Sequence, residues 1–211
     1  MSYRYSSSAY FDSLKQGGDT ATRVLVGLNV ATFVLSFLRL GWLQQFLTFS
    51  PAELGHQPWT LLTYPLNGTS GGLITLLFTC YWMWVVGGSL ERSWSTPTFL
   101  RFFSVITVAS ALGLWVGYLL LRVPQEATGL FLPLSALTVA WCYLNPGIVV
   151  QFMLVLPLRA RHLAWLTMAL TVFYYGQDHP MMGFFALAGI GITILWLRGL
   201  PWADVMSPRY N

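Results

Sequence analysis

The sequence predicts an all-α polytopic membrane protein, and three observations support this fold class. Of the 211 residues, 55% are hydrophobic and only 9% are charged, whereas a soluble domain carries about 25% charged residues. Aromatic residues make up 16%, and ten tryptophans are available for interfacial belts. The apolar residues fall into runs that approach the roughly 20 residues a spanning helix needs. Because so few charges cannot cover a globular surface in water, most of the surface must face lipid.

Six apolar segments are candidates for membrane helices. They run approximately from Val24 to Leu40, Gly71 to Leu90, Phe99 to Leu121, Pro133 to Leu144, Leu163 to Tyr175 and Met181 to Leu197. The apolar stretch from Ile148 to Leu156 is an optional extension of the fifth segment. Residues 22–198 are therefore predicted to form one membrane domain. An N-terminal tail (1–21) and a C-terminal tail (199–211) flank it.

The positions of the cationic residues predict the orientation. With a cytoplasmic N-terminus, six spans leave only Arg39 and Arg122, of eleven Lys and Arg residues, on the outer side. This distribution obeys the positive-inside rule, and an odd number of spans would lose the agreement. We expect both termini to be cytoplasmic, in a bacterial inner membrane.

The connection after the first span is long, about 30 residues, and loops of that length are usually functional or structured. Its SPAEL sequence predicts a helix start, with Ser50 as N-cap, Pro51 at N1 and Glu53 completing a capping box. The loop also carries aromatic and apolar residues that favour the membrane interface, namely Phe46, Leu47, Phe49 and Trp59.

The fourth segment is too short to cross a membrane as a helix. From Pro133 to Leu144 it would extend about 18 Å at 1.5 Å per residue, against a hydrocarbon core of about 30 Å. The chain from Val123 to Leu132 must therefore carry part of the crossing in a non-helical form, enclosed by protein or by a wet cavity. Pro133 suits the first helical position. Ser135 is then predicted in the first turn of a short, buried helix.

Several stretches together resemble rhomboid proteins. TRVLVGLNVATFVL, with Asn29, is similar to their first helix, and FLTFSPAELGHQPWTLLTYPL to their first loop. LLFTCYWMWVVGGSLER, with Gly87, Gly88 and Glu91, is similar to their second helix. A short serine-bearing fourth helix and a last helix with His179 and Gly183 fit as well. The resemblance implies a six-helix rhomboid-like bundle with a short, buried fourth helix and a long structured first loop.

Active rhomboids are intramembrane serine proteases, so the resemblance implies Ser135 as nucleophile and His179 as base. Their GxSG motif is Pro133-Leu134-Ser135-Ala136 here, which keeps the serine and loses both glycines. The family's oxyanion-binding histidine and asparagine fall at Thr75 and Thr79, and a further histidine falls near Ser70.

Gly183 follows His179 by four residues, where the family spacing is three. One residue of offset turns a helical side chain by about 100°. Unwinding before Pro180 can restore the direction of the imidazole. Loss of one oxyanion donor alone typically costs about 10²–10³ in rate, so several defects together predict a catalytically degenerate member of the family.

We therefore expect a pseudoprotease that binds transmembrane segments of partner proteins, as a client-binding factor or as an accessory subunit of a membrane complex. The alternative is an active protease using Ser135 and His179. A transporter or channel is disfavoured, because the spans carry ionisable residues only at their ends.

Structural roles remain open for the same residues. Ser135 is then a packing serine, His179 a solvated loop histidine, Gly183 a site of close helix approach, and Glu91 a cap or an ion pair with Arg92. The spacing of His and Cys predicts no metal site. We expect no cofactor and no nucleic-acid partner, and the lipid bilayer as the surrounding medium.

Overall fold

The computed structural model describes residues 19–36, 41–68, 71–152 and 156–199. Most of both predicted tails, and Ser70, lie outside these ranges. In the first part of the chain, α1 (Thr20–Ser36) is followed by the loop of residues 41–68. This loop contains α2 (Gly41–Leu47), a 3-10 helix (Pro51–Glu53), α3 (Thr60–Thr63) and a second 3-10 helix (Tyr64–Leu66).

The remaining elements begin with two long helices, α4 (Gly72–Trp94) and α5 (Thr96–Leu121), and the short α6 (Phe131–Leu144). An antiparallel hairpin of β1 (Val149–Phe152) and β2 (Leu156–Arg159) follows, with Val149 paired to Arg159. The chain ends in α7 (Ala160–Tyr175), α8 (Pro180–Ala186) and α9 (Ala188–Gly199).

The helices confirm the predicted fold class. Three segments of the described chain are long and apolar enough to cross a membrane, namely α4, α5 and the combined α8–α9 stretch Pro180–Gly199. Helices α1 and α6 are shorter and also apolar. Within the described residues, each of the six predicted segments coincides with helix, so the chain is an all-α polytopic membrane protein whose two-stranded hairpin lies in a connection.

Helix α6 lies at the centre of the bundle, in contact with α4, α5, α7 and α9. Every residue from Leu132 to Cys142 is buried, which confirms the short, buried fourth helix. Its 14 residues extend about 21 Å. The helix begins at Phe131, two residues before the expected start. Pro133 therefore lies in the first turn, where a missing N–H removes no intrahelical bond.

The segment before α6, residues 122–130, is non-helical, and the first loop covers it. Phe49 and Ala127 exchange both backbone hydrogen bonds, at 3.0 and 2.9 Å. The Gly129 N–H donates to the carbonyl of Tyr64 at 2.9 Å. Phe49, Tyr64 and Ala127 are fully buried. The loop therefore supplies the partners that the extended backbone would lack in hydrocarbon.

Two expectations for the loop need correction. Ser50 does precede a helical turn with Pro51 at its start, but its side chain makes no cap hydrogen bond, so the capping box is wrong. The turn is a single 3-10 turn, which leaves too few residues for that motif. Leu47 and Phe49 are buried, whereas Phe46 and Trp59 are exposed and stack at 5.1 Å. Only the second pair is free to contact the membrane interface.

The optional extension of the fifth helix is also wrong. The stretch after Ile148 forms the hairpin, and the Ala160 N–H donates to the Ile148 carbonyl at 3.0 Å where α7 begins. Adjacent β-branched residues at Val149 and Val150 favour a strand. Pro157 prevents a helix from continuing through this region.

The described beginning of α1 and end of α9 lie at the same end of the bundle. The Ala21 N–H donates to Glu91 near the end of α4. Trp94 contacts Phe102 edge-on at 5.0 Å, and Phe102 contacts Trp196 of α9 at 5.8 Å. We call this the Glu91 end, and the opposite end, which carries residues 41–68, the loop end. A shared end is the arrangement that an even number of crossings requires.

Candidate functional site

Helix α4 presents one side-chain stripe to the central helix α6. The Trp82 indole Nε1–H donates to the Thr138 hydroxyl at 2.9 Å. About two turns further along α4, the Ser89 hydroxyl accepts a hydrogen bond from the Trp141 indole at 3.1 Å. Both residue numbers rise together, so α4 and α6 run in the same direction. These two indole hydrogen bonds identify the face of α4 that packs against α6.

That face continues to the loop end through Thr79 and Thr75. These residues precede Trp82 by three and seven positions, which keeps them on the same side of the helix, about 4.5 and 10.5 Å further along. Trp82 is 8% exposed, Thr79 is half-buried and Thr75 is exposed. Packing against α6 is therefore complete in the inner part of the stripe and absent at its outer part.

Ser135 lies at the level of Thr79 on the facing helix. It precedes Thr138 by three residues, the same interval that separates Thr79 from Trp82. These helix intervals are consistent with Ser135, Thr79 and Thr75 sharing one region between α4 and α6, and that grouping stays a prediction. The region is open to the outside at Thr75, rather than a closed polar cavity.

The Ser135 side chain is buried, and its hydroxyl donates to the Leu132 carbonyl at 2.7 Å. A serine hydroxyl has a single proton. In this arrangement that proton is bonded within the helix, which is a common state for serine in membrane helices. Ser135 is therefore held as a satisfied helix hydroxyl rather than as a nucleophile paired with a base.

His179 is the N-cap of α8. Its backbone is extended (φ −151°, ψ 120°), as expected before Pro180, and its Nδ1 accepts the Met181 N–H at 3.3 Å. With Nδ1 as acceptor, the neutral imidazole carries its proton on Nε2. Neither ring nitrogen is then free to take a proton from Ser135. The half-buried ring stabilises a helix start instead.

Thr75 and Thr79, the expected oxyanion positions, also bond to their own helix. The Thr75 hydroxyl donates to the Gly71 carbonyl at 2.7 Å, and the Thr79 hydroxyl donates to the Thr75 carbonyl at 2.8 Å. An oxyanion donor must keep its proton available for the substrate. Ser70, the third polar position, lies outside the described residues.

Glu91 is the centre of a separate polar site at the Glu91 end. Its buried carboxylate accepts from the Ala21 N–H at 2.9 Å and the Thr22 N–H at 2.8 Å. The hydroxyls of Thr22 and Thr96 also donate to it, at 2.8 and 2.7 Å. Glu91 therefore caps the start of α1 and joins it to α4 and α5, where the dipole of α1 also favours a negative charge.

Sequence reasoning left open a pair between Glu91 and Arg92, and the structure assigns them different partners. Arg92 lies 3.9 Å from the buried carboxylate of Asp19, which also bonds to Arg23 at 2.9 Å. A clue was present in the sequence. A glutamate in the last turn of its own helix opposes that helix dipole, which points to donors supplied by another element.

Contacts between helices limit the space at Gly87 and Gly183, whereas Gly88 faces a side chain of its own helix. A Cβ at Gly87 would meet Thr22 of α1 at 3.4 Å, and one at Gly88 would meet Arg92 at 3.2 Å. A Cβ at Gly183 would lie only 2.8 Å from the Cα of Val172. Gly87 thus lets α1 approach α4, and Gly183 lets α8 approach α7.

The loop reaches the bundle interior through Tyr64, whose hydroxyl donates to the Thr107 carbonyl at 3.2 Å. Burial raises the pKa of this hydroxyl well above its ordinary value, so it stays a neutral donor. Across residues 19–36, 41–68, 71–152 and 156–199, no group of three His, Cys, Asp or Glu side chains is arranged to hold a metal ion.

Comparison with known proteins gives one match. Residues 23–198 match the family described as eukaryotic integral membrane protein (DUF1751). No curated protein matches the chain. The family supports an integral membrane protein, and its eukaryotic description gives no support to the bacterial membrane expected from the sequence.

Proposed function

We propose that this chain, which belongs to the DUF1751 family of eukaryotic integral membrane proteins, is a rhomboid-like pseudoprotease that binds transmembrane segments of partner proteins. It acts as a client-binding factor or as a fixed subunit of a membrane complex, with the Glu91 end in the cytoplasm. The client helix lies against the outer half of α4, beside the start of α6.

The observation that carries this proposal is the change in packing along the α6-facing stripe of α4. Trp82, Met83 and Val86 are buried, whereas Thr75 on the continuation of the same face is exposed. Around it, Leu73, Ile74 and Leu77 are 56%, 84% and 61% exposed. Five of the first six residues of α4 are therefore open to another helix, and the remaining one, Leu76, is buried.

Binding at this place fits the physics of helix association in lipid. Apolar helices gain little from burial there, since lipid is as apolar as they are, so contacts depend on packing and on hydrogen bonds. The exposed stretch combines large apolar side chains with two hydroxyls. The other end of α4 is held by the hydrogen bonds of Glu91 to α1 and α5, so the binding face belongs to a helix with a fixed position.

The state of the polar residues supports binding without cleavage. The Ser135 proton is donated within its helix, and the Nδ1 of His179 is occupied by a backbone N–H. Nucleophilic catalysis needs the serine and its base within hydrogen-bond reach of each other. With Ser135 and His179 both hydrogen-bonded to backbone groups, the site can still bind a transmembrane helix but cannot cleave it.

Photo-crosslinking tests the binding role. Benzoylphenylalanine at Thr75 should capture intact transmembrane segments of partners, and a matched probe at Leu120, 67% exposed on α5, should capture mainly lipid. Equal capture of protein at both positions contradicts a specific client face.

The protease alternative has its own test. A fluorophosphonate probe should leave the folded protein unlabelled, with the same background in Ser135→Ala. Labelling that disappears in both Ser135→Ala and His179→Ala would instead establish an active serine protease.

A further inference from the structure

The hydrogen bonds of Thr75 and Thr79 restrict what the exposed face of α4 can recognise. Each hydroxyl donates its single proton to a carbonyl one turn earlier, at 2.7 and 2.8 Å. The Thr79 hydroxyl also lies 3.0 Å from the Leu76 carbonyl. With its proton committed, a hydroxyl has only lone pairs left to offer. The face therefore presents acceptors to a partner.

We propose that the clients of this face are transmembrane helices that carry a side-chain hydrogen-bond donor, such as Asn or Gln, at the level of Thr75 and Thr79. This inference rests on the proposed function and specifies its partner class. The two oxygens are one helical turn apart, about 6 Å along the axis. A carboxamide carries N–H donors, so one Asn or Gln can donate to either threonine.

The preference follows from the low polarity of the membrane. An unpaired donor on a client helix is costly in hydrocarbon, where water cannot satisfy it. The threonine oxygens remove that cost without giving up their own bonds. A fully apolar helix gains only packing from the same face. A partner that offers only acceptors forms no hydrogen bond there, because the threonine oxygens also offer only lone pairs.

Model peptides test this in nanodiscs that contain the full chain. The peptides are 23-residue Leu/Ala helices with tryptophan ends and one variable residue at the depth of Thr75, and binding is measured by energy transfer. The variable residues are Asn, Leu, Phe and 4-acetylphenylalanine, whose ketone accepts but cannot donate.

We expect the Asn peptide to bind about three- to tenfold more tightly than the Leu peptide, the range of single interhelical hydrogen bonds in membranes. The 4-acetylphenylalanine peptide should bind no better than the Phe peptide. In Thr75→Val/Thr79→Val the Asn preference should disappear while Leu-peptide binding remains. Thr167→Val is the matched control, since Thr167 also bonds to its own helix, at 2.8 Å, on α7.

The outcomes separate the two proposals. Equal binding of the Asn and Leu peptides overturns the donor preference and leaves client binding intact, since any apolar helix then binds the face. An Asn preference that survives the double Val variant also overturns it, because the acceptors would then lie elsewhere. No binding of any peptide overturns the proposed function and this inference together.

Discussion

Replacing Glu91 with glutamine should weaken the attachment of α1 to the bundle. Glu91 accepts four hydrogen bonds, one backbone N–H on each carboxylate oxygen and one threonine hydroxyl on each. Glutamine has nearly the same size but replaces one oxygen with NH₂. In either orientation this NH₂ faces a backbone N–H, from Ala21 or from Thr22. A hydroxyl can rotate to accept, but a backbone N–H cannot.

The expected loss of unfolding free energy for Glu91→Gln is about 2–3 kcal/mol. A hydrogen bond to a charged group contributes about 1.5–3 kcal/mol, and a buried donor left unpaired costs about 1–3 kcal/mol. We do not add all four bonds, because three of them can survive in weakened form and neighbouring bonds are not additive.

The assay is reversible unfolding in mixed micelles with increasing SDS, followed by tryptophan fluorescence and circular dichroism. Glu53→Gln is the matched control, because Glu53 is exposed and its loss should change stability by less than about 0.5 kcal/mol. Equal unfolding midpoints for Glu91→Gln and Glu53→Gln would refute the capping role of Glu91.

Three further outcomes are expected in the same unfolding assay. Ser95→Gly should stabilise the protein by about 1–3 kcal/mol, because Ser95 has φ 74° and ψ 151°, a region that suits only glycine; no gain would contradict a strained turn between α4 and α5. Gly183→Ala should lower the midpoint because its Cβ would collide with the backbone of α7, whereas Gly191→Ala, with nothing within 4 Å, should not; equal effects would argue against close approach. Thr138→Val should cost about 1 kcal/mol through loss of the Trp82 indole bond, and Trp82→Phe in the Val background should then add less than it does alone.

Length and apolar composition were sufficient to locate the six apolar segments, which are helical over their described residues. Six apolar runs became helices because a backbone in lipid must satisfy its own hydrogen bonds. The length of the fourth apolar segment also predicted its burial, since a helix from Pro133 to Leu144 is too short to cross a bilayer. The hairpin after Ile148 was missed, because a short apolar run has no period that separates strand from helix.

The candidate site was only partly readable. Spacing placed Thr75 and Thr79 on one face of α4, since they lie one helical turn apart, and the grouping of Ser135 with them stays a prediction. The direction of each hydroxyl was not readable, because a hydroxyl in a helix chooses between its own carbonyls and a neighbour only after the neighbour is in place.

Composition and the order of apolar and charged residues thus determined the class of protein, the positions of the apolar segments and the burial of the short α6, because the bilayer limits how a chain can satisfy its backbone. Tertiary structure alone decided that Glu91 caps α1 rather than pairing with Arg92, and that the α6-facing stripe of α4 is filled at Trp82 and open at Thr75. Both depend on which side chains meet across distant segments, and that information lies in the packing of the helices.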